Sequence, residues 1–591
     1  MPKVDHNLST QQPQNAKITV FFLLILVLIM IFIGKMFFTF TDDRYRPSIH
    51  KSVTNKAKRG DIVSADGFVI ASTQKLYKAI INTKNLNPDK KNLFVTLFSI
   101  YSGMDKKKIL KKISHAKGRV TLSFSINATR AKHLRSLAHK LLKLKVFRRY
   151  ETADKRVIFQ GLEILASGET RTFAYNDLLT PLIGYIHKYE DDDYTRVNGI
   201  KGLEKSYQEL LETKKDGLKE GERDVNNYVL LNKKSTLQAT QNGPSLILNI
   251  PISLQRRAEF LITQAKKSFG AKEILCSIME SNSGKIITLA SSNRFNPKAI
   301  RTKDYPSLKA NFIEYNFEPG SVMKPLIFAR LLEHKKVKPF DVINTHNGRY
   351  KLGTKTITDD HKYDYLSAEN VIVYSSNIGM AQMVQKLGAI ELHQGIIDFG
   401  FTQKSGLDLP YEKKGYLPSI TKLNNTLYKA TISYGYGMSA NFMQVLKAYN
   451  AFNNDGVVIT PKIASKVYKG GQEFQLNAPV EEEVISPVLA NRMKKILLKV
   501  VKDGTGRGAQ YQGLEVGGKT GTAHIAQDGR YVRRYNSSFF GFANDKERKY
   551  TLGVTVIEPD EHNYFAANSA VPIFKNLVEL LVEFDYLKPS M

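Results

Sequence analysis

The stretch Phe317-Glu-Pro-Gly-Ser-Val-Met-Lys324 decides how the rest of the chain is read. Pro319 and Gly320 punctuate the backbone, and a helical stretch follows. Pro325 is tolerated only near a helix start, which puts Ser321 in the first turn. Residues three apart share a helix face, so the Lys324 amine can stand beside the Ser321 hydroxyl. A serine hydroxyl is a poor nucleophile until a base takes its proton. A lysine serves as that base only if partial burial or a nearby positive charge pushes its pKa down. Alone, S-x-x-K recurs by chance, and a surface helix start is its commoner meaning.

Two further strings follow in order. Tyr374-Ser-Ser-Asn377 comes after the apolar Val371-Ile-Val373 and before a helical run. Ser375 can relay a proton and Asn377 can hold a substrate amide, although Ser and Asn also cap helices. Val516-Gly-Gly-Lys-Thr-Gly-Thr-Ala523 reads as a strand whose glycines, Gly521 among them, allow a substrate backbone to come close. Lys519, Thr520 and Thr522 offer a positive charge and hydroxyls to a terminal carboxylate. A phosphate loop is the competing reading of Gly-Lys-Thr. It fails because Leu514, not glycine, stands five residues before Lys519, and a loop and strand follow instead of a helix.

Outward from these motifs, residues from about 245 alternate between strand and helix patterns. Ser245 to Ile250 reads as a strand, and Pro251 opens a helix carrying Leu254, Leu261, Ile262 and Ala265. Glu273–Met279 and Lys285–Ala290 read as a hairpin around Asn282-Ser-Gly284. Ser538–Ala543 and Tyr550–Ile557 read as strands, and Phe574, Leu577, Val578 and Leu581 mark a final helix. One sheet built from both ends of the domain, with a helical lobe between, is the expected result. Residues 41 to about 240 are mixed and locally very basic, as in Lys106-Lys-Lys108 and Leu141-Leu-Lys-Leu-Lys145. Leu134, Leu137, Leu141 and Leu142 interleave at helical spacing, which reads as a solvated basic helix face. No nucleic-acid motif accompanies it.

At 591 residues, two or more extramembrane domains are expected. The 87 Lys+Arg against 55 Asp+Glu give a charge of +32 and favour anionic partners without choosing among them. The single cysteine, Cys276, excludes an internal disulfide framework and a multi-cysteine metal site, and reads as a core residue. Ile18 to Phe40 is apolar enough to form a helix about 34 Å long, against a hydrocarbon core of about 30 Å. Phe37, Phe38 and Phe40 occupy the place of a small-residue cleavage site, so the segment reads as an uncleaved anchor. Lys3 and Lys17 precede it, whereas Arg44, Arg46, Lys51, Lys56, Lys58 and Arg59 follow it. A simple charge count would therefore leave the large domain inside, but long domains translocate largely regardless of charge.

Together, the ordered set S-x-x-K, S-x-N and K-T-G resembles the active-site signature shared by penicillin-binding proteins and serine β-lactamases. Arg59-Gly-Asp-Ile62 with Asp66-Gly67, Arg171-Thr-Phe-Ala174, Gly184-Tyr185 and Gly202-Leu-Glu204 resemble the non-catalytic blocks of class B, monofunctional transpeptidases. Ser64 and Ala65 stand where that pattern usually has Asp-Arg. Glu-Pro-Gly-Ser321, Ser-Ser-Asn-Ile-Gly379, Asp528-Gly-Arg-Tyr531 and Phe540-Gly-Phe-Ala543 resemble the septal, division-specific enzyme. The elongation-specific relative typically carries Asp where Asn377 stands.

The resemblance implies an α+β, multidomain architecture. Residues 1–17 would be a cytoplasmic tail, 18–40 a transmembrane anchor, and 41–240 a mixed α+β pedestal of dimerisation type. Residues 241–591 would be a β-lactamase-like transpeptidase domain with a central antiparallel sheet flanked by helices. It implies that Ser321 attacks the carbonyl between two terminal D-alanines of a peptidoglycan stem, with Lys324 as base and Ser375 relaying a proton. Asn377 would hold the substrate. Lys519, Thr520, Gly521 and Thr522 would form the carboxylate site, and the N–H groups of Ser321 and Thr522 the oxyanion hole. It implies no metal and no organic cofactor. Implied partners are stem peptides, β-lactam antibiotics, the membrane and divisome proteins including the septal glycan polymerase, with no nucleic acid. The implied location is the inner membrane, single-pass, with the catalytic domain periplasmic and enriched at the septum. Rival readings are the elongation-specific transpeptidase, a β-lactam hydrolase, and a non-catalytic β-lactam sensor or divisome scaffold.

Overall fold

The computed structural model describes residues 12–41, 49–152, 157–191, 194–224, 228–476, 478–527 and 529–590. Residues 1–11 of the expected tail, Arg44, Arg46 and Asp528 lie outside them. The chain divides into two compact units, one of residues 1–56 with 216–240, the other of residues 57–215 with 241–591.

The first unit holds the helix Gln12–Thr41, whose segment Ala16–Thr41 has a mean hydropathy of 3.0 and none of its most apolar window buried. A long helix with apolar side chains on every face finds its burial in lipid rather than in a protein core. Among the described residues it is the one helix long and apolar enough to cross a membrane. The unit also contains a three-stranded antiparallel sheet, His50–Asn55, Gly217–Glu222 and Thr236–Gln238 in that order.

In the second unit the longest strand of the first half, Val69–Asn82, pairs with Arg119–Asn127 and Glu163–Phe173. Helices Lys91–Ser102, Lys106–His115 and Ala128–Lys143 cover it with Phe94, Phe98, Ile109, Leu134, Leu137 and Leu141. Leu142, expected on the same apolar face, is 40% exposed because one residue turns the helix 100° away from the Leu134–Leu141 stripe. Between Gly103 and Tyr150 the only acidic residue is Asp105, and the lysines of both basic helices point outward.

Strands from residues 57–215 and from residues 241–591 share a sheet. Strand Ser245–Leu248 pairs parallel with Ile62–Val63 and antiparallel with Ala464–Lys469. The sheet thus runs on through chain segments from both sides of residue 240.

The blocks Arg59, Arg171 and Glu204 meet at one buried point. Glu204 Oε2 accepts from Arg59 Nε at 2.8 Å, and its Oε1 accepts from Arg171 Nε at 2.7 Å. Arg171 also donates to the carbonyl of Gly60 and to Thr73 Oγ1. Burial alone would raise the Glu204 pKa, but the charges of Arg171 and Arg59 overcome it and hold the carboxyl below its usual range. Asp66 does a different job: its carboxylate accepts from the Ile252 N–H at the start of helix Ile252–Ser268.

The catalytic sheet is wholly antiparallel, in the order Ile286–Ser291, Glu273–Glu280, Lys549–Ile557, Arg530–Asn544, Glu515–Gln527. As the sequence implies, its first two strands come from one end of the domain and its last three from the other. The strand expected over Ser538–Ala543 begins earlier, at Arg530. Alternation sends neighbours to opposite cores. Phe539 faces helices Ile252–Ser268 and Ala570–Glu583, together with the fully buried Cys276, whereas Phe540 faces Phe442 and Tyr449 of the helical lobe.

Glu204→Gln keeps the shape of the junction but leaves two buried guanidiniums without their hydrogen-bonded counter-charge. We expect a loss of about 3–5 kcal/mol, read as a lower urea midpoint. A loss under about 1 kcal/mol would show that water reaches the pair.

Candidate active site

Ser321 lies in the short 3₁₀ turn Gly320–Met323, which runs directly into helix Lys324–Glu333 with Pro325 in its first turn. The turn is wedged between two partners. On one side Gly320 N–H donates to the carbonyl of Gly435, and a Cβ on Gly435 would come within 2.1 Å of the Gly320 oxygen. On the other side a Cβ on Gly521 would meet Val322 Cγ1 at 2.9 Å and the Pro319 oxygen at 3.0 Å. Gly521 therefore lets the serine turn rest on the strand Glu515–Gln527.

The motif's first two glycines also have a packing role. A Cβ on Gly517 would strike the Phe542 ring at 2.4 Å, and one on Gly518 the Phe539 ring at 2.7 Å. These glycines accommodate the protein's own aromatic side chains. Glu515–Gln527 is the terminal strand of its sheet, and its outer edge has no strand partner among the described residues. An unpaired strand edge offers backbone donors and acceptors to an extended peptide.

Lys324 is fully buried. Its Nζ donates to the Ser375 carbonyl at 2.5 Å and to Ser375 Oγ at 3.2 Å. Ser321 Oγ has no hydrogen-bond partner among the described residues, so the amine and the hydroxyl share a face without a direct bond between them. Burial pushes the Lys324 pKa down to about 7, against the opposing pull of Asp359 and Asp360. Lys519 is equally buried, and its pKa falls well below the ordinary lysine value, through burial first and the neighbouring Lys324 charge second.

Ser375 sits in the left-handed region, φ 62°, between helices Ala368–Val373 and Asn377–Met383. That conformation is unfavourable for a residue with a side chain. It turns both the carbonyl and the hydroxyl of Ser375 toward Lys324. Ser376 takes the capping role, accepting from Gly379 N–H. Asn377 Nδ2 donates to the Thr358 carbonyl at 3.0 Å. Thr520 Oγ1 lies 2.7 Å from Thr505 Oγ1 and 3.2 Å from Lys519 Nζ, while Thr522 Oγ1 accepts from Ala566 N–H at 3.2 Å. The three motifs thus form one site, with Ser321, Lys324 and Ser375 on one wall and Lys519 to Thr522 on the other.

Three contributors were not legible from the motifs, and a fourth, Glu318, lies inside the first motif with no role that the motif alone reveals. Asp359 anchors the Ser375 corner, accepting from the N–H groups of Asn377 and Ile378 and from Ser376 Oγ. Thr505 positions Thr520. Gly435 seats the serine turn, and Glu318 accepts from Gly437 N–H at 2.7 Å and from Tyr531 OH at 3.2 Å. Only Tyr434-Gly-Tyr-Gly437 carried a usable sign, a pair of glycines marking a turn.

Residues 274–579 match the penicillin binding protein transpeptidase domain family, and residues 54–248 match the penicillin-binding protein dimerisation domain family. The chain is 28% identical over 383 residues to a probable peptidoglycan D,D-transpeptidase PenA of Neisseria flavescens, covering 64% of this chain and 92% of that one. It is 27% identical over 538 residues to the peptidoglycan D,D-transpeptidase FtsI of Buchnera aphidicola, covering 90% of this chain and 88% of that one. Penicillin binding protein 2X of Streptococcus thermophilus shares the fold, with a TM-score of 0.73 at 20% identity over 90% of this chain and 81% of that one.

Burying the Lys324 amine carries a cost that a neutral side chain of similar length avoids. Lys324→Met should raise stability by roughly 2–4 kcal/mol near pH 7. The lysine's folded pKa of about 7 lies below its unfolded value. The unfolded chain therefore binds the extra proton between these values, and wild-type stability climbs with pH across that window. The gain from the substitution should be full at and below about pH 7 and absent above about pH 10.5. Urea titrations at three pH values would test this, and a pH-independent difference would refute it.

Proposed function

The chain belongs to the class B penicillin-binding proteins, and from that premise we propose that it cross-links peptidoglycan stems at the division septum through an acyl-enzyme on Ser321. The observation that carries this reading is the Lys324 amine. It is fully buried, its pKa is lowered to about 7, and it lies three residues from Ser321 on the turn that faces the Lys519–Thr522 strand.

On this reading an extended stem peptide lies along the free edge of Glu515–Gln527, its terminal carboxylate held by Lys519, Thr520 and Thr522. Lys324 Nζ takes the Ser321 proton as Oγ attacks the carbonyl between the two D-alanines. The N–H groups of Ser321 and Thr522 hold the resulting oxyanion. As the intermediate collapses, the C–N bond breaks and the departing D-alanine amine receives a proton by way of Ser375. The acyl-ester is then attacked by an amine of a neighbouring stem. That amine gives up its proton, Ser321 regains one, and the new amide is the cross-link.

Helix Gln12–Thr41 serves as a single-pass anchor with the large domain outside the cytoplasm, where the substrate lies. The pedestal would dock division partners, the septal glycan polymerase among them. The FtsI-named relative that covers 90% of the chain favours division over elongation. Filaments on depletion would support this, and spheres would favour the elongation role. Penicillins, as mimics of the D-alanyl terminus, should acylate the same serine.

Two outcomes test the chemistry. Fluorescent penicillin should label Ser321 alone, and Ser321→Ala should abolish labelling; undiminished labelling of that variant would remove Ser321 from the site. Because Lys324 accepts a proton only when neutral, acylation should fall about tenfold per pH unit below about pH 7 and level off above it. Lys324→Ala should cost on the order of 10²–10⁴ in rate. A flat profile between about pH 5 and 9 would exclude Lys324 as the base.

A further inference from the structure

The first unit displays a group of apolar side chains that its own fold leaves bare. Ile49, Val53, Tyr228, Leu230, Leu231 and Leu237 are each 39% to 72% exposed. They lie in or beside the three-stranded sheet His50–Asn55, Gly217–Glu222 and Thr236–Gln238. Singly such residues mean little, but several on one small sheet and its connecting segment mark an interaction surface.

The pairing register sorts the sheet's side chains onto two unlike faces. Val53 stands opposite Lys219, and Lys219 opposite Leu237, so the three form one row on one face. Alternation puts Lys51 on that face too, and no acidic residue of the three strands joins it. Glu220 and Glu222 lie on the other face. The connection back to Thr236–Gln238 crosses the first face: a Cβ on Gly221 would meet Ser235 Cβ at 2.9 Å and Val229 Cγ1 at 3.3 Å. That connection carries Leu230, Leu231, Lys233 and Lys234, all exposed. From Tyr228 to Thr240 the chain holds no acidic residue.

A face that mixes lysines with bare apolar side chains, and keeps its acids on the far side, complements anionic headgroups over hydrocarbon. Reach favours lipid over a soluble partner. Eight residues separate Ile49 from Thr41, the last residue of the apolar helix, so their Cα atoms are at most about 28 Å apart. With that helix in the bilayer, the start of the sheet is confined to the headgroup layer and the space just above it. Lipid is present there at an effective concentration that a soluble protein does not reach. Resting on the reading of Gln12–Thr41 as a membrane anchor, we propose that the face bearing Val53, Lys219 and Leu237 is a lipid-binding surface. It lies against the bilayer on the side of the catalytic domain. Its apolar side chains enter the upper acyl region, and Lys219, Lys233 and Lys234 meet anionic phosphate groups. Glu220 and Glu222 face away from the membrane.

The chain contains no tryptophan, so a single introduced indole reports on a single position. Full-length Leu237→Trp and, on the opposite face, Thr236→Trp are placed in nanodiscs of phosphatidylcholine, alone or mixed with phosphatidylglycerol, containing quencher-labelled lipid. In the anionic discs, shallow labels should quench Leu237→Trp at least about threefold more than Thr236→Trp, and less in phosphatidylcholine alone. Lys219→Glu added to Leu237→Trp should lower the contact equilibrium about tenfold, and salt at about 0.5 M should act in the same direction. A Phe32→Trp reporter in the helix checks the premise, since deep labels should quench it. Quenching of Phe32→Trp without quenching of Leu237→Trp overturns the lipid surface and leaves the anchor in place. No quenching at either position removes the anchor, and the lipid surface with it. Equal quenching of Leu237→Trp and Thr236→Trp overturns the one-sided contact. A Leu237→Trp shielded from both aqueous and lipid quenchers also overturns it, by assigning the face to protein, a second copy of this chain included.

Discussion

Two lysine amines buried in one small site impose the constraint around which the catalytic half is built. Taking one ammonium out of water is costly; taking two out side by side is more so, because each charge opposes the other. The site meets this by letting the amines shed protons. Lys324 sits near a pKa of 7 and Lys519 lies well below the ordinary lysine value. A soluble helix start with the same Ser-x-x-Lys spacing would hold a solvated, protonated lysine with no capacity to accept a proton. Burial lowers the pKa of a lysine that the same tetrapeptide in solvent would leave protonated, and burial is a property of what surrounds it: helix Lys324–Glu333 below, the Ser375 corner to one side and the sheet to the other.

That enclosure demands close approach of backbones, and the glycines supply it. Gly521 and Gly435 clamp the serine turn from opposite sides, at separations no Cβ tolerates. Gly517 and Gly518 let Phe542 and Phe539 pack against the strand that carries Lys519. The strand is thereby held rigidly by its face while its outer edge stays open. Ser375 pays for its position with a left-handed backbone, stabilised because Asp359 ties down the next three residues.

Far from the serine, Glu204 draws Arg59 and Arg171 into one buried cluster, joining chain segments more than a hundred residues apart. The sheet formed by Ile62–Val63, Ser245–Leu248 and Ala464–Lys469 continues from the pedestal strands into the catalytic region. The cluster ties together residues 59 to 204, and the sheet packs residues 57–215 and 241–591 into one unit. The Arg-Gly-Asp, Arg-Thr-Phe and Gly-Leu-Glu blocks resembled those of class B enzymes by their pattern. Their physical purpose, a carboxylate shared by two guanidiniums and a carboxylate capping helix Ile252–Ser268, emerged only with the fold.

The linear sequence determined the features that depend on neighbours in the chain. Apolar run length marked the N-terminal helix, turn residues Asn282-Ser-Gly284 marked the hairpin of Glu273–Met279 and Lys285–Ala290, and helical spacing joined Ser321 to Lys324. It also determined the order of the three motifs, and with it the family. Tertiary structure decided everything that depends on distant contacts. The depth of Lys324 comes from elements up to two hundred residues away. Leu142 faces solvent although its composition suited the core. Asp359, Thr505 and Gly435 join the site without any local motif, because their roles are set by what the fold brings against them. Periodicity is a property of the chain, whereas desolvation and close backbone contact are properties of an enclosed volume, and no short stretch of sequence encloses one.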